Sequence, residues 1–329
     1  MNVAPCKLKL SAPSTTANLG PGFDCVGLAL DQRNTWEISL IEGSQPGRCR
    51  VTESSGGGDL EQIPRDENHL FFSSWSQLHS MGFGPDAFQI LRKAGLEVEL
   101  RADNCTPIAR GLGSSAAVRV ASAEAYRRIT TSYDRPAWEL ASQLEGHPDN
   151  AGPAGLGGLF LGTKDETGRY RAIQPEIHPC WELVVAVPNF ALHTERARQV
   201  LPDSLPLQDA IFNMGRLPFL IEGLRTGDSD FLALGCQDRL HQNQRSSLIP
   251  GFHAVVSGAT EAGAACSFLS GAGPTIASFV DSRKGEACLE QVKTAMHDAF
   301  VQSQVSAEVF ALSVDKAGLC VTEIGRTLA

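Results

Sequence analysis

The segment Pro107-Ile108-Ala109-Arg110-Gly111-Leu112-Gly113-Ser114-Ser115-Ala116-Ala117 follows a predicted strand and opens a predicted helix. Glycines let the backbone curl until successive N–H groups converge, and a helix N-terminus adds unpaired donors with a partial positive charge. Such a loop can cradle phosphate oxygens. Ser114 and Ser115 add hydroxyls suited to phosphate or a magnesium ion. No Gly-Lys-Ser/Thr follows, so this is not a Walker A loop. A loose G-x-G-x-x-A pattern with Asp134 roughly 20 residues on leaves a dinucleotide fold as a competitor. A capped helix after a glycine turn, with no ligand at all, is the plain alternative.

Three further segments could join it. Pro13-Ser14-Thr15-Thr16-Ala17-Asn18-Leu19-Gly20-Pro21-Gly22-Phe23-Asp24 offers the amide of Asn18 and the carboxylate of Asp24, which suits a cationic group. Alone it reads as a polar turn. Glu145-Gly146-His147-Pro148-Asp149-Asn150 sets two carboxylates around a helix-breaking proline, one for a metal and one for a substrate. His147 beside Asp149 suits acid–base chemistry, and a satisfied polar helix end competes with that reading. Ser270-Gly271-Ala272-Gly273-Pro274-Thr275 is a glycine turn between two predicted strands.

These loops need strands and helices to hold them. Strand character is found at Lys7–Ser11, Thr35–Ile41, Leu96–Arg101, Leu159–Gly162, Glu182–Pro188, Ala254–Ser257, Ile276–Val280 and Val309–Val314. Helical spacing is found at Leu70–Met81, at the alanine-rich Ala116–Ile129, and at Pro136–Glu145 with Asp134 as its candidate cap. Residues 208–225 place Ile211, Met214, Leu217, Ile221 and Leu224 on one face, with Pro218 expected to kink the helix. Cys288, Val292, Ala295 and Ala299 mark another helix. Glu53–Asp59, ESSGGGD, reads as a loop tip. The elements are mixed without strict alternation, which favours an α+β fold over a doubly wound sheet. A boundary at 165–180 divides the 329 residues nearly in half.

A formal charge of −9 with no basic stripe argues against nucleic acid as the main partner. An acidic chain must bind anions locally, with helix N-termini and a few arginines. Nine scattered cysteines, with no C-x-x-C pair, argue against structural zinc and fit a reducing compartment better than a disulfide framework. The N-terminus lacks the apolar stretch of a signal peptide, and the uncharged residues 262–280 read as turn and strand, not as a membrane span. The expected location is cytoplasmic.

Taken together, the four segments resemble the GHMP kinase superfamily, and within it the homoserine kinases. That family's phosphate loop has the form P-x3-G-L-G-S-S-A. Its first motif reads approximately P-A-S-T-A-N-L-G-P-G-F-D, and its middle motif E-G-H-P-D-N-V-A-P. This chain has PSTTANLGPGFD and EGHPDNAGP, and it ends the set with SGAGPT, in the family's order from about residue 8 to the last strands. Ser14 stands where alanine is common, Ala151-Gly152 replaces Val-Ala, and Asn243 replaces the usual proline of L-H-x-P-x-R.

The resemblance implies an α+β fold: an N-terminal ribosomal-protein-S5 domain 2-like domain (1–170), which binds ATP, and a ferredoxin-like C-terminal domain (171–329). It implies phosphoryl transfer from ATP to the hydroxyl of L-homoserine, in threonine biosynthesis. Residues 107–117 would hold the triphosphate, Ser115 and Glu145 would hold Mg²⁺, and Asn18, Asp24 and Asp149 would contact homoserine. The family pattern A-R-x-x-L-P falls on Ala197–Pro202, so Arg198, with Arg196 close by, would clamp the carboxylate together with Arg245. Asp149 would act as base or position the hydroxyl, with Asn150 and His147 orienting groups. Members of the family often form homodimers.

Overall fold

A computed structural model describes residues 3–56 and 63–326. Two sheets carry the fold. The first runs β11-β1-β2-β4-β3, built from β1 (Cys6–Ala17), β2 (Val26–Glu42), β3 (Cys49–Gly56), β4 (Leu96–Asn104) and β11 (Cys320–Arg326). β5 (Leu159–Lys164) pairs with the start of β2, and β6 (Tyr170–Ile173) pairs with β5. Alternation along β2 buries Trp36, Ile38 and Leu40 on one face, as the two-residue period of a strand requires. That face meets α1 (Leu70–Ser80), α2 (Ala87–Ala94) and α3 (Ser114–Thr130) in one core. α4 (Ala137–Glu145) and α5 (Ala151–Leu156) complete the layer.

The second sheet has the order β10-β7-β9-β8, from β7 (Trp181–Pro188), β8 (Cys266–Leu269), β9 (Ile276–Asp281) and β10 (Ala307–Leu312), with every pair antiparallel. In chain order this is strand, helices, two strands, helix, strand, the split βαβ arrangement expected of a ferredoxin-like unit. Leu183, Val185 and Val187 of β7 face a core shared with β2 and with α7 (Leu207–Thr226) and α8 (Ser229–Gly235). Val184 and Ala186 face the opposite core under α10 (Phe252–Glu261) and α11 (Glu286–Gln302). Burial on both faces explains why β7 reads as an unbroken apolar run. The shared core also contains Leu19, Val26, Leu28 and Leu112, and so joins the two halves directly beneath the glycine loops.

Several expectations are corrected. Ala254–Ser257 lies inside α10, because a four-residue apolar run does not distinguish strand from helix. α4 begins behind Pro136, with no side-chain cap, so Asp134 does not cap it. A single helix, α7, runs through Pro218, and it buries Asn213, Leu220, Gly223 and Leu224 while Ile211 and Met214 are exposed. Residues 53–56 of the expected loop tip are the end of β3, and the rest of that tip lies outside the described residues. A division at 170/171 cuts β6, and β11 returns to the first sheet beside β1. Cys236 and Cys266 are joined as a disulfide, whereas Cys25, Cys49, Cys105, Cys180, Cys288 and Cys320 are free thiols.

α1 starts with His69 as its N-cap: the ring Nδ1 accepts from the Phe71 N–H at 3.1 Å. Only a neutral imidazole can accept there. Burial holds its pKa down at about 4, against an ordinary 6.5. Because the folded value is depressed, the unfolded chain binds the extra proton first. The stability contributed is complete above pH 6.5 and falls as the pH drops toward 4. Between pH 7 and pH 4.5 the urea-unfolding free energy should fall by on the order of 2 kcal/mol from this group. His69→Gln, which keeps an acceptor for the Phe71 N–H, should remove that part of the slope. An unchanged slope in the variant would show that the ring is not held neutral.

Candidate active site

The phosphate loop ends at Gly113, whose left-handed backbone (φ 69°) leads into α3 with no side chain capping the helix. The first-turn N–H groups therefore remain open to an anion. Backbone bonds stitch this loop to the other two glycine segments. Thr15 N–H donates to Leu112 O at 3.1 Å, Thr275 N–H to Arg110 O at 3.3 Å, and Gly271 N–H to Ala17 O at 3.0 Å. The Ser270 hydroxyl donates to Gly111 O at 2.6 Å. The contact is so close that a Cβ at Gly111 would lie 2.4 Å from Ser270 O, and one at Gly113 would lie 1.8 Å from Thr15 Oγ1. Both glycines are thus required by loop-on-loop packing. Gly113→Val would disturb that packing as well as any approach of phosphate.

Around this junction opens a cleft of about 790 Å³. Ile108–Ser115 contribute to its wall, and so do Asn18, Asp24, Glu145, His147, Asp149, Asn150, Arg198, Arg245 and Gly271–Gly273. Segments up to 250 residues apart in sequence therefore meet at one site. Pro107 is not part of the lining, and Ala116 and Ala117 are buried in the cores behind it. Those three stand behind the loop and outside the cleft wall.

At one end the charges alternate. Arg198 donates to both carboxylate oxygens of Asp24, at 2.7 and 3.0 Å. Burial opposes the Arg198 charge, but the Asp24 bond and charge outweigh it and raise its pKa. Arg245 is 2% exposed and donates to Ala197 O and Gly271 O, both at 3.1 Å. Burial, with help from the Arg198 charge, brings its pKa down to about 10, so it remains a cation at neutral pH. The two guanidinium groups lie 5.5 and 5.1 Å from the Phe23 ring centroid. Arg196 is exposed and outside the cleft, whereas its neighbour Arg198 lines it.

Asp149 is buried, and His147 Nδ1 contacts its Oδ1. Burial lowers the His147 pKa, but the hydrogen bond and charge of Asp149, aided by Asp24 and Glu145, prevail and raise it. Asp24, His147 and Asp149 place donor atoms within 4.8 Å of one another. With the two arginines alongside, this is a compact site for a small zwitterion bearing a polar group. Asn18 lines the cleft and also braces it. Its Nδ2 donates to Gly271 O at 2.9 Å and its Oδ1 accepts from Asp24 N–H at 3.0 Å. Its amide therefore holds Asp24 in place. Asn150 likewise accepts from the Thr15 hydroxyl at 2.8 Å, and both residues tie loops together.

Glu145 ends α4 opposite the loop, with its Oε2 3.5 Å from the Ser115 hydroxyl. Its buried Oε1 lies 2.9 Å from Arg119 Nε but receives no directed hydrogen bond. Glu145 Oε2 and the Ser115 hydroxyl at the head of α3 set two hard oxygen donors side by side, which suits a hard divalent cation.

Models of the GHMP kinases N terminal domain and the GHMP kinases C terminal domain match residues 85–158 and 220–298. A homoserine kinase of Prochlorococcus marinus (strain NATL1A) is 37% identical over 315 residues, which is 94% of each chain. One of Gloeobacter violaceus is 42% identical over 286 residues, covering 86% of this chain and 90% of that protein. The chain belongs to the homoserine kinase family. The crystal structure of homoserine kinase from Cytophaga hutchinsonii superposes with a TM-score of 0.79 at 26% identity, covering 98% of this chain and 99% of that one.

Homoserine kinase motifs account for the charged end and the glycine loops of the cleft, but not for its other end. There, among the described residues, Ile63, Pro64, Asn68, His69, Leu70, Ser73 and Asn104 line an opening that contains no carboxylate or guanidinium group. Sequence reasoning missed these residues. Asn68-His69 ahead of an apolar run is a helix-start signal, but nothing in it says that the helix opens onto the phosphate loop. Ala191–Thr194, before α6 (Thr194–Gln199), were missed for the same reason.

Proposed function

We propose that the cleft carries out ATP-dependent phosphorylation of the L-homoserine hydroxyl to O-phospho-L-homoserine, a step of threonine biosynthesis, with each role assigned as follows. The observation that carries the reading is the convergence of Asp24, Asp149, Arg198 and Arg245 on the wall opposite the glycine loop. The carboxylate of homoserine faces Arg198 and Arg245, its ammonium faces Asp24, and its hydroxyl faces Asp149 and His147. The loop N–H groups and the Ser114 and Ser115 hydroxyls hold the triphosphate, and the end lined by His69 and Asn104 receives the base.

Phosphoryl transfer depends on positioning and charge neutralisation more than on covalent help. The uncapped N-terminus of α3 directs positive potential at the oxygens on which charge spreads. Ser115 and Glu145 are the residues that would hold Mg²⁺, which neutralises charge on the transferring phosphate when bound. Asp149 and His147 fix the hydroxyl in line, and its proton passes to that pair as the new P–O bond forms and the bond from the γ-phosphorus to the bridging oxygen breaks, which releases ADP. Two units share the work: the first sheet with β11, which carries the loop and Glu145, and the second sheet with its helices, which carries the arginines. Among the described residues no helix is long and apolar enough to cross a membrane. The preponderance of free thiols supports a cytoplasmic location.

A coupled assay of ADP release with homoserine, mevalonate, galactose and no acceptor tests the acceptor. Release should depend on homoserine alone. Equal turnover of mevalonate or galactose would overturn the assignment of the charged end.

A further inference from the structure

The neighbours of Glu145 behind the cleft carry an inference that rests on its role as a metal ligand. Arg119 lies one helical turn after Ser115 on α3, so the two side chains project from the same face. Arg119 does not line the cleft; it stands behind Glu145. Its Nε is 2.9 Å from Glu145 Oε1, and its Nη1 donates to Gln77 Oε1 of α1 at 3.3 Å. The side chains of the ion pair are 17% and 14% exposed, which is too enclosed for bulk water to take over its role. The two oxygens of Glu145 are therefore divided: Oε1 forms an ion pair with Arg119 without a directed hydrogen bond, and Oε2 is turned toward Ser115.

We propose that Arg119 is a positioning residue for the metal site: it anchors one oxygen of Glu145 so that the other is presented with the Ser115 hydroxyl to the nucleotide-bound divalent cation. Two effects oppose each other here. A fixed cation behind the carboxylate repels an incoming metal ion, whereas anchoring removes the rotameric freedom of a glutamate at the end of a helix. The geometry decides between them. Arg119 engages the oxygen that faces away from Ser115, and Gln77 holds the guanidinium back on the α1 side. Partners of metal ligands behave in this way generally, and their loss weakens metal affinity by about 10–100-fold.

The test is Mn²⁺ binding to the enzyme–ADP complex, followed by electron paramagnetic resonance, for wild type, Arg119→Met, Arg119→Lys and Glu145→Gln. Arg119→Met should weaken Mn²⁺ binding about tenfold and raise the Mg²⁺ concentration needed for half-maximal turnover, with KM for homoserine unchanged. Arg119→Lys, which restores a cation, should recover most of the affinity. A purely structural role would lower the melting temperature of both variants together and would show no rescue of metal binding by lysine. If Arg119→Met binds Mn²⁺ as tightly as wild type or more tightly, the positioning role is wrong, because only repulsion was relieved. If Glu145→Gln also leaves Mn²⁺ binding unchanged, the underlying assignment of Glu145 as a metal ligand has failed instead.

Discussion

Glu145→Gln is expected to lower kcat by about a hundredfold or more while leaving KM for homoserine near the wild-type value. A hundredfold is about 2.7 kcal/mol of transition-state stabilisation, within the several kcal/mol that metal-borne charge neutralisation supplies in phosphoryl transfer. Glutamine keeps the size of the side chain, and its oxygen can still face Ser115, so the helix end and loop should keep their shape. What is lost is the negative charge opposite the head of α3. Homoserine should be indifferent, because the residues proposed to contact it, Asp24, Arg198 and Arg245, belong to other elements. Steady-state kinetics at saturating ATP over a wide range of Mg²⁺ check this, with circular dichroism confirming the fold. Near-normal turnover at ordinary Mg²⁺ would remove Glu145 from the metal site.

The loops were legible in the sequence because their chemistry is local. A left-handed residue at Gly111 and Gly113 leaves a glycine whether the cause is a ligand or a neighbouring loop, so the position could be read while the cause could not. The structure adds that cause: Ser270 O and Thr15 Oγ1 occupy the space a side chain would need. Asn18 shows the same limit, since a polar residue in a binding motif looks alike whether it touches the ligand or holds the residue that does.

Helix faces were less legible. In α7 the buried set includes Asn213 and Gly223, which carry no apolar signal. Asn213 donates to Asp238 at 2.7 Å, and Gly223 brings α8 so close that a Cβ would lie 2.6 Å from Leu232 N. Gly235 packs in the reverse sense against Leu220. Apolar spacing therefore found Leu217, Ile221 and Leu224, which lie in or against the core, but it also took in Ile211 and Met214, which are exposed, and it passed over Asn213 and Gly223, whose burial has no apolar signal. The two-sided burial of β7 posed no such problem, because an unbroken apolar run is itself the signature of a strand covered on both faces.

The choice of acceptor depends on two arginines that differ in what their removal should do. Arg198 is partly exposed, pairs with Asp24 and lies over the Phe23 ring, so Arg198→Ala leaves the loops standing and frees a carboxylate beside the proposed substrate position. Arg245 is buried and also supports the backbone at Ala197 and Gly271. Arg245→Ala therefore combines a lost ligand contact with a loosened glycine loop. Charge-assisted hydrogen bonds are worth about 1.5–3 kcal/mol each, and an ion left without its partner in a desolvated site adds to the loss. Each substitution should raise KM for homoserine by roughly 10–100-fold. The two should part company on the nucleotide side: Arg198→Ala leaves KM for ATP unchanged, whereas Arg245→Ala raises it, because Gly271 packs against the phosphate loop. Homoserinol, which lacks the carboxylate, should be a poor substrate for the wild type, and the preference for homoserine over homoserinol should shrink in Arg198→Ala. Equal efficiency with homoserine and homoserinol in the wild-type enzyme would mean that the paired guanidinium groups do not bind the carboxylate. The salt bridge from Arg198 to Asp24 would then be a strut between the two halves of the cleft.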